Sequence, residues 1–431
     1  MYFNNSQFQN IITHPQKIDG ELKPGENRMN ELAGYADEAV ALRRSIHRRP
    51  EEGWTEFETT YRIVACLEKY GYDVKAGIEA VEPSAVLGRN PELVAKAEAR
   101  ALAHGVPQAY VDALLRELAK NTRRPDTLYF GGGTPALLSP GQVSTLIQAA
   151  DPLPGAEITL EANPDVVTPE TLLGFRQAGV NRISFGVQSA DDAQLQRLGR
   201  THTAAGAARA LAWAQEAGFP DICGDIMLAL PQYTNAEFDR TLALLQNGGC
   251  THISAYLLKV EPGTAFYRNP PAGLPDADAA ADFYLYAVRQ LEAAGYRQYE
   301  ISNFARLGHE GRHNLLYWNC EPYRGIGPAA HSCVDNVRRF WPGDVQGFID
   351  GTIHEEIEGD CTAEDYLLMQ LRLTRGLDLE EYARRGGHFA TAQQAFMRQC
   401  VTHGYAVWEG SSFRLTPAGM VVQNAILTEL I

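Results

Sequence analysis

The spacing of apolar positions changes twice along the chain, and each change marks a different kind of structure. From Asn30, the residues Leu32, Tyr35, Ala39, Leu42 and Ile46 recur at alternating steps of three and four, which predicts an amphipathic helix that Pro50 stops. Ile63, Val64, Leu67 and Tyr70 predict a second helix, with Gly71 placed as its C-terminal cap. A short strand, YDVKAG, follows, then helices over ELVAKAEARALAHG and QAYVDALLRELAK. Residues 1–27 are polar, without apolar periodicity, and read as a loose leader.

Beyond Pro125, short β-rich runs appear at TLYF (127–130), EITLEA (157–162), NRISFGVQ (181–188), DICGDIML (221–228) and HISAYLL (252–258). Helical patterns fill the gaps (PGQVSTLIQAA, PETLLGFRQAG, AAGAARALAWAQEAG), and Gly179 and Gly218 punctuate the returns to strand. Five β–α units in series predict parallel strands with right-handed crossovers. Their unequal lengths and lack of a repeat favour an α/β barrel over a solenoid. From about 356 the strands thin out. EDYLLMQLRLTRG and TAQQAFMRQCVTHG read as helices, YAVWEGSSFRLT as a hairpin around Gly410, and a last helix completes a small winged-helix-like tail.

A length of 431 residues suits two or three domains, or one barrel with additions. A net charge of −15 disfavours a nucleic-acid partner. No apolar run approaches the roughly 20 residues of a membrane span, and the start MYFNNSQFQN lacks a secretory profile, so a cytoplasmic location is expected. The seven cysteines (Cys66, Cys223, Cys250, Cys320, Cys333, Cys361, Cys400) include no two within four residues of each other. Neither C-x-x-C nor a zinc or ferredoxin spacing exists, and scattered thiols fit a reducing compartment.

The strongest local chemical signal is LYFGGGTPALLSP, a strand running into Gly131, Gly132, Gly133, Thr134 and Pro135. Such a loop brings bare backbone N–H and C=O groups to a ligand at the C-terminal end of a parallel strand, or makes a tight turn needing positive φ. It is neither a P-loop nor a dinucleotide fingerprint. Glu161, Gln188, Asp225 and Lys259 place a polar residue at or near the end of each later strand. They suit a polar ligand at the barrel mouth, or loop and cap positions. His313, Asn314, Tyr317 and Trp318 could ligate and stack on a porphyrin, or form an ordinary aromatic cluster.

Taken in order, GGGTP, LEANP, RISFGVQS with LQRLGRTH, DIMLALP, YEISNFA and HNLLYW resemble the radical S-adenosylmethionine proteins of the oxygen-independent coproporphyrinogen III oxidase family. HNLLYW and the compact C-terminal region are most similar to its heme-chaperone branch. The resemblance runs from about Tyr110 to Ile431. It implies that Gly132, Gly133 and Thr134 hold the methionine end of S-adenosylmethionine, that Glu161 and Gln188 meet the ribose, and that Arg200 and Asp225 complete the pocket. It also implies that His313, Asn314, Tyr317 and Trp318 form a heme-associated HNxxYW motif, with heme or a porphyrin passed to a heme-receiving protein.

The family also carries a C-x3-C-x2-C loop upstream of GGGTP, whose thiolates hold a [4Fe–4S] cluster. Here only Cys66 lies upstream of Gly131. The expected fold is therefore an incomplete parallel α/β barrel lacking its first strand and cluster loop, with an α-rich N-terminal fragment and a small helical C-terminal domain. Its expected divisions fall at 28–108, 109–310, 311–355 and 356–431. No catalytic residue and no metal ligand is assigned, and reductive cleavage of S-adenosylmethionine is not expected. Residues of about 30–110 (LRRSIHRRPEEGWTEFETT, LEKYGYDVKAGIEAV, VLGRNPELVAKAEARALAHGVPQ) resemble instead the opening of zinc amidohydrolases of the p-aminobenzoyl-glutamate hydrolase type. That pattern stops before the metal ligands, and His47 beside Arg48 and Arg49 has no partner ligands. Two truncated families thus meet near Val106 to Leu114, which suggests a fused or truncated product. Three readings follow: a catalytically silent heme chaperone by descent, a cluster-free heme-binding protein, and, least supported, an amidohydrolase.

Overall fold

A computed structural model of the chain describes residues 12–15, 72–74, 106–260 and 265–431. Compact units comprise 1–103 with 260–270, and 104–259 with 271–431. In the first, β1 (Ile12–Pro15) pairs antiparallel with β2 (Tyr72–Val74). The stretch read as a loose leader therefore contributes a strand, and YDVKAG finds its partner there. Apart from residues 106–108, the remaining residues behind the amidohydrolase-like reading, His47 among them, lie outside the described ones.

In the second unit, helix α1 (Gln108–Leu118) leads into β3 (Thr127–Phe130). Alternation then continues through α2 (Pro140–Ala150), β4 (Glu157–Ala162), α3 (Pro169–Ala178), β5 (Arg182–Gln188), α4 (Asp192–Arg197), α5 (Ala204–Glu216), β6 (Asp221–Leu228), α6 (Asn235–Asn247) and β7 (His252–Leu257). Ser139, Thr168 and Thr234 close capping boxes at the starts of α2, α3 and α6, satisfying N–H groups that a helix end leaves bare. Gly179, at φ +113°, ends α3 as predicted. Strand β5 begins one residue later than its apolar run. The Asn181 side chain instead stitches the strands, accepting from Ile158 N at 2.8 Å and donating to Ala156 O at 2.7 Å.

The main sheet has the order β3-β4-β5-β6-β7-β9-β8, with β3 to β7 parallel. It is an open partial barrel with β3 at one edge among the described residues. At the other edge, helix α7 (Ala277–Ala293) precedes β8 (Arg297–Gln298) and β9 (Asn303–Ala305), and β9 is antiparallel to β7. These two strands went unread because two or three residues are too few to show a period.

Helix α8 (Arg312–Trp318) opens the next region, which contains more strand than its sequence suggested. Strands β10 (His331–Val334), β11 (Val337–Phe340) and β12 (Glu356–Asp360) form an antiparallel sheet, with α9 (Val345–Asp350) between the last two. Asp335 and Asn336, both at positive φ, make the two-residue turn of the β10–β11 hairpin, as Asp-Asn between β-prone runs permits.

In the tail, α10 (Ala363–Gln370), β13 (Leu377–Asp378), α11 (Leu379–Arg384), α12 (Thr391–Thr402), β14 (Ala406–Glu409), β15 (Ser412–Leu415), α13 (Pro417–Val421) and α14 (Gln423–Leu430) follow. The β14–β15 hairpin turns at Gly410 as read. The helix predicted over 364–376 stops at Gln370, because Leu373 bridges Glu300 and Ile301 N donates to Arg372 O at 2.9 Å. Tertiary pairing overrides helix period there. One core runs from barrel to tail, from Leu160, Phe175, Phe185 and Phe238 to Leu367, Met397 and Phe413, all fully buried.

Candidate functional site

At the C-terminal end of β3 the chain enters the glycine loop. Gly132 and Gly133 adopt φ of +74° and +64°, and side chains added there would meet nothing within 4 Å. The loop is open and needs glycine for its conformation. Glu161 fastens it: its Oε2 accepts from Gly132 N at 3.3 Å, while Oε1 accepts from the Tyr129 hydroxyl at 2.6 Å. Thr134 is half-buried and starts a short 3-10 turn at Pro135–Leu137.

Gln188 ends β5 at φ +63°. A Cβ on Gly186 would stand 3.0 Å from Gln188 Nε2, 3.6 Å from Asn163 Oδ1 and 3.9 Å from Arg200 Nη1. Three polar side chains therefore converge over a bare backbone. Asp225 lies on β6, with Ser184 Oγ 3.3 Å from each of its oxygens. Burial pushes its carboxyl up to about 6, against the hydroxyls of Ser254 and Ser184, which hold it down. Glu161 and Asp225 thus share one polar cavity, while Gln188 and Arg200 converge with Asn163 beside Gly186.

Below them the inner face of the sheet is polar throughout. Tyr129, Glu157, Thr159, Glu161, Arg182, Ser184, Cys223, Asp225, His252, Ser254 and Tyr256 surround a cavity of about 60 Å³. That admits a few waters or a small polar group, and is far too small for a tetrapyrrole. Arg182 is buried, 3.9 Å from Glu157 and 3.9 Å from Asp221, and donates to His309 O at 3.1 Å. Tyr129, Glu157, Arg182 and His252 escaped the sequence reading, which attended to strand ends. The signal was present as polar residues at every second position (Glu157, Thr159, Glu161; His252, Ser254, Tyr256).

Of the HNxxYW residues, His313 and Asn314 adjoin the same cavity from the N-terminal end of β3. Helix α8 packs at the N-terminal end of β3, where His313 Nδ1 is 2.8 Å from Thr127 Oγ1 and the imidazole stacks on Tyr129 at 5.0 Å. His313 Nε2 meets the Tyr317 hydroxyl at 2.7 Å, so both ring nitrogens are engaged. The backbone N–H groups of Arg312 and His313 donate to Glu157 at 3.0 and 2.9 Å. Asn314 borders the lumen. Trp318 faces the tail, with the Arg372 guanidinium 4.4 Å above its ring and its own carbonyl accepting from Gln370.

Among the described residues, no three His, Cys, Asp or Glu side chains are disposed to hold a metal. Burial pushes the thiols of Cys223 and Cys333 up to about 12 and that of Cys320 to about 11, and raises Cys250 and Cys400. Cys333 and Cys361 lie together, but no three described cysteines are gathered as a site for the three thiolates of an iron–sulfur cluster. The open glycine loop does fit the polar amino-acid end of S-adenosylmethionine, and a carboxylate such as Glu161 suits ribose hydroxyls. No described helix is long and apolar enough to cross a membrane.

Comparison with known proteins agrees with this architecture. The profile of the Radical SAM superfamily matches residues 99–245. The heme chaperone HemW of Bacillus subtilis is 34% identical over 299 residues, covering 64% of this chain and 79% of its own. The heme chaperone HemW of Escherichia coli is 33% identical over 335 residues, covering 74% and 88% respectively. The solved structure of the Escherichia coli coproporphyrinogen III oxidase HemN superposes with a TM-score of 0.64 at 19% identity, over 80% of this chain and 85% of that one, a likeness of fold. With this partial barrel, glycine loop and sequence kinship, the chain belongs to the HemW family of radical S-adenosylmethionine proteins.

Proposed function

We propose that this chain is a HemW-family protein that keeps the S-adenosylmethionine end of its barrel but does not initiate radical chemistry, an unrelated N-terminal segment having replaced the cluster-bearing opening. The observation that carries the reading is the Glu161 clamp: one carboxylate holds both Tyr129 and the backbone of Gly132 beside an open glycine loop. In this reading Gly132, Gly133 and Thr134 hold the methionine end, Glu161 and Gln188 the ribose, and Arg200 and Asp225 the rest of the pocket. Bound S-adenosylmethionine would supply a sulfonium and an adenosyl group. The chain lacks a C-x3-C-x2-C run, and the described cysteines do not fit a cluster, so the site binds without cleaving. The family profile begins at residue 99, within the stretch of about 30–110 read as amidohydrolase-like, and a fused or truncated product is part of this reading.

Heme or a porphyrin is the cargo in this reading, and a heme-receiving protein the partner. His313 ligates heme only after giving up a contact to Thr127 or Tyr317. The test is anaerobic iron and sulfide reconstitution followed by incubation with S-adenosylmethionine and a reductant. Binding without cluster absorbance and without 5′-deoxyadenosine is expected; release of 5′-deoxyadenosine by contaminant-free protein overturns the reading. Heme titration of wild type and His313→Ala tests the cargo assignment, which fails if the two bind alike. Uninterrupted genomic sequence across codons 90–130 tests the origin of the join: one continuous reading frame there is expected of a joined gene, whereas two separate full-length genes mean an artefact.

A further inference from the structure

Cys333 on β10 and Cys361, just before α10, stand with their sulfur atoms 3.0 Å apart, although 28 residues separate them. A disulfide needs about 2.0 Å, so a shift of about 1 Å joins them. The backbone holds both in place. Cys361 N donates to Asn336 O at 2.8 Å, and Asn336 Nδ2 donates to Cys361 O at 2.8 Å, which ties Cys361 to the turn of the β10–β11 hairpin. Cys333 exchanges two backbone hydrogen bonds with Tyr323, each of 2.9 Å. The thiols differ in access: Cys333 is buried at 6% exposure, whereas Cys361 is only partly covered. The Arg338 guanidinium lies within electrostatic reach of both.

We propose that Cys333 and Cys361 form a redox-active dithiol whose substrate is a low-molecular-weight disulfide of the glutathione class. The Cys361 thiolate attacks one sulfur of that disulfide, breaking its S–S bond and expelling one thiol. Cys333 then attacks Cys361 Sγ, expelling the second thiol and forming the internal disulfide. Two protein thiols are oxidised, one small disulfide is reduced, and the two protons leave on the released thiols. Burial and the neighbouring sulfur hold the Cys333 thiol up at about 12. Its burial, against the more accessible Cys361, makes it the resolving partner, and capping of Cys361 removes the negative charge that opposes its ionisation.

The linkage has somewhere to act. Tyr323, paired with Cys333, packs edge-on against Tyr317 at 4.5 Å, and Tyr317 meets His313 at 2.7 Å. Cys361 immediately precedes the capping box of α10. The oxidised form thus ties β10 to the start of α10 and stiffens the segment that carries His313. This does not depend on whether His313 binds heme.

The experiment equilibrates the reduced full-length chain against mixtures of reduced and oxidised glutathione, followed by acid quench, alkylation, intact mass and peptide mapping. The expected product has lost two hydrogen atoms, contains a peptide joining Cys333 to Cys361, and reverts in reduced glutathione. Cys320→Ser should leave the linkage intact and Cys361→Ser should abolish it. A persistent glutathione adduct on Cys361, a bridge to Cys320, or thiols still reduced at the oxidised end of the series overturns the proposal. Slower amide exchange across 312–324 in the oxidised form is expected; unchanged exchange there overturns the coupling to His313.

Discussion

Thr127 Oγ1 and His313 Nδ1 stand 2.8 Å apart, joining the first residue of β3 to a helix 186 residues further along the chain. The glycine loop leaves the same strand four residues later, roughly 13 Å away at 3.3 Å per residue. The two residue sets that the sequence offers as ligand sites therefore occupy opposite ends of one short strand. Tyr129 lies between them, stacked on His313 at 5.0 Å and donating to Glu161 at 2.6 Å, so one side chain links the two sets.

His313 should be neutral at physiological pH. Burial holds its pKa down at about 4, outweighing the nearby Asp126 carboxylate that raises it. An unfolded histidine titrates near 6.5, so between those values the unfolded chain takes up a proton that the folded chain refuses. Stability is full above the unfolded value and falls as pH drops towards about 4, with a loss of order 2 kcal/mol after allowing for solvent screening. Urea unfolding at pH 7 and pH 5 checks this: His313→Gln should flatten the difference, and an unchanged slope would remove His313 from the account.

The alternation of β3 to β7 with their helices was legible because each helix carries its own start signal and each strand is apolar on its outer face. Ser139 followed by Pro140, and Thr168 followed by Pro169, begin helices where their residue types demand. Glu161, Gln188, Asp225 and Lys259 were legible as polar residues at or near strand ends, whereas Arg200 was pointed to by the family resemblance alone. What stayed hidden depends on contacts distant in sequence. The pairing of β9 with β7 is one case, and the capture of Leu373 by Glu300 another. Engagement of both His313 nitrogens is a third, since Thr127 carries no local sign of its partner.

Tyr129→Phe should loosen the glycine loop. The phenol is held well above its ordinary pKa, by burial first and then by the Glu161 charge, so it stays a hydrogen-bond donor throughout the working range. Removing it leaves Glu161 only the weaker contact to Gly132. A hydrogen bond to a charged group contributes about 2 kcal/mol. A stability loss of that order in urea is expected, with S-adenosylmethionine affinity reduced several-fold by calorimetry. Full affinity in the variant would show that the clamp is irrelevant to binding.

Arg372→Met should be costly and pH-dependent. Glu300 is fully buried, and Arg372 Nη2 lies 3.6 Å from its Oε2. Burial raises the Glu300 pKa, while Arg372 opposes the rise. Without the guanidinium the folded pKa moves further above the unfolded one. As pH rises, the unfolded carboxyl then ionises before the folded one, and stability falls across that window. A loss of about 3 kcal/mol is expected at pH 8, and a smaller one at pH 5. Adding Glu300→Gln should recover much of it, as a double-mutant cycle in guanidinium would measure.

Gly131 and Gly132 should respond to alanine in the reverse of the order their backbones suggest. Gly132 is at φ +74° but open, so Gly132→Ala incurs only backbone strain, about 1 kcal/mol. Gly131 is not in the left-handed region, yet a Cβ there would fall 2.5 Å from the Tyr129 ring and 3.4 Å from Glu161 Oε1. Gly131→Ala must displace a ring that stacks on His313 on one side and donates to Glu161 on the other. Thermal melts should therefore show the larger fall for Gly131→Ala, accompanied by the greater loss of S-adenosylmethionine binding. The opposite ranking would mean that the Tyr129–Glu161 contact does not organise the loop.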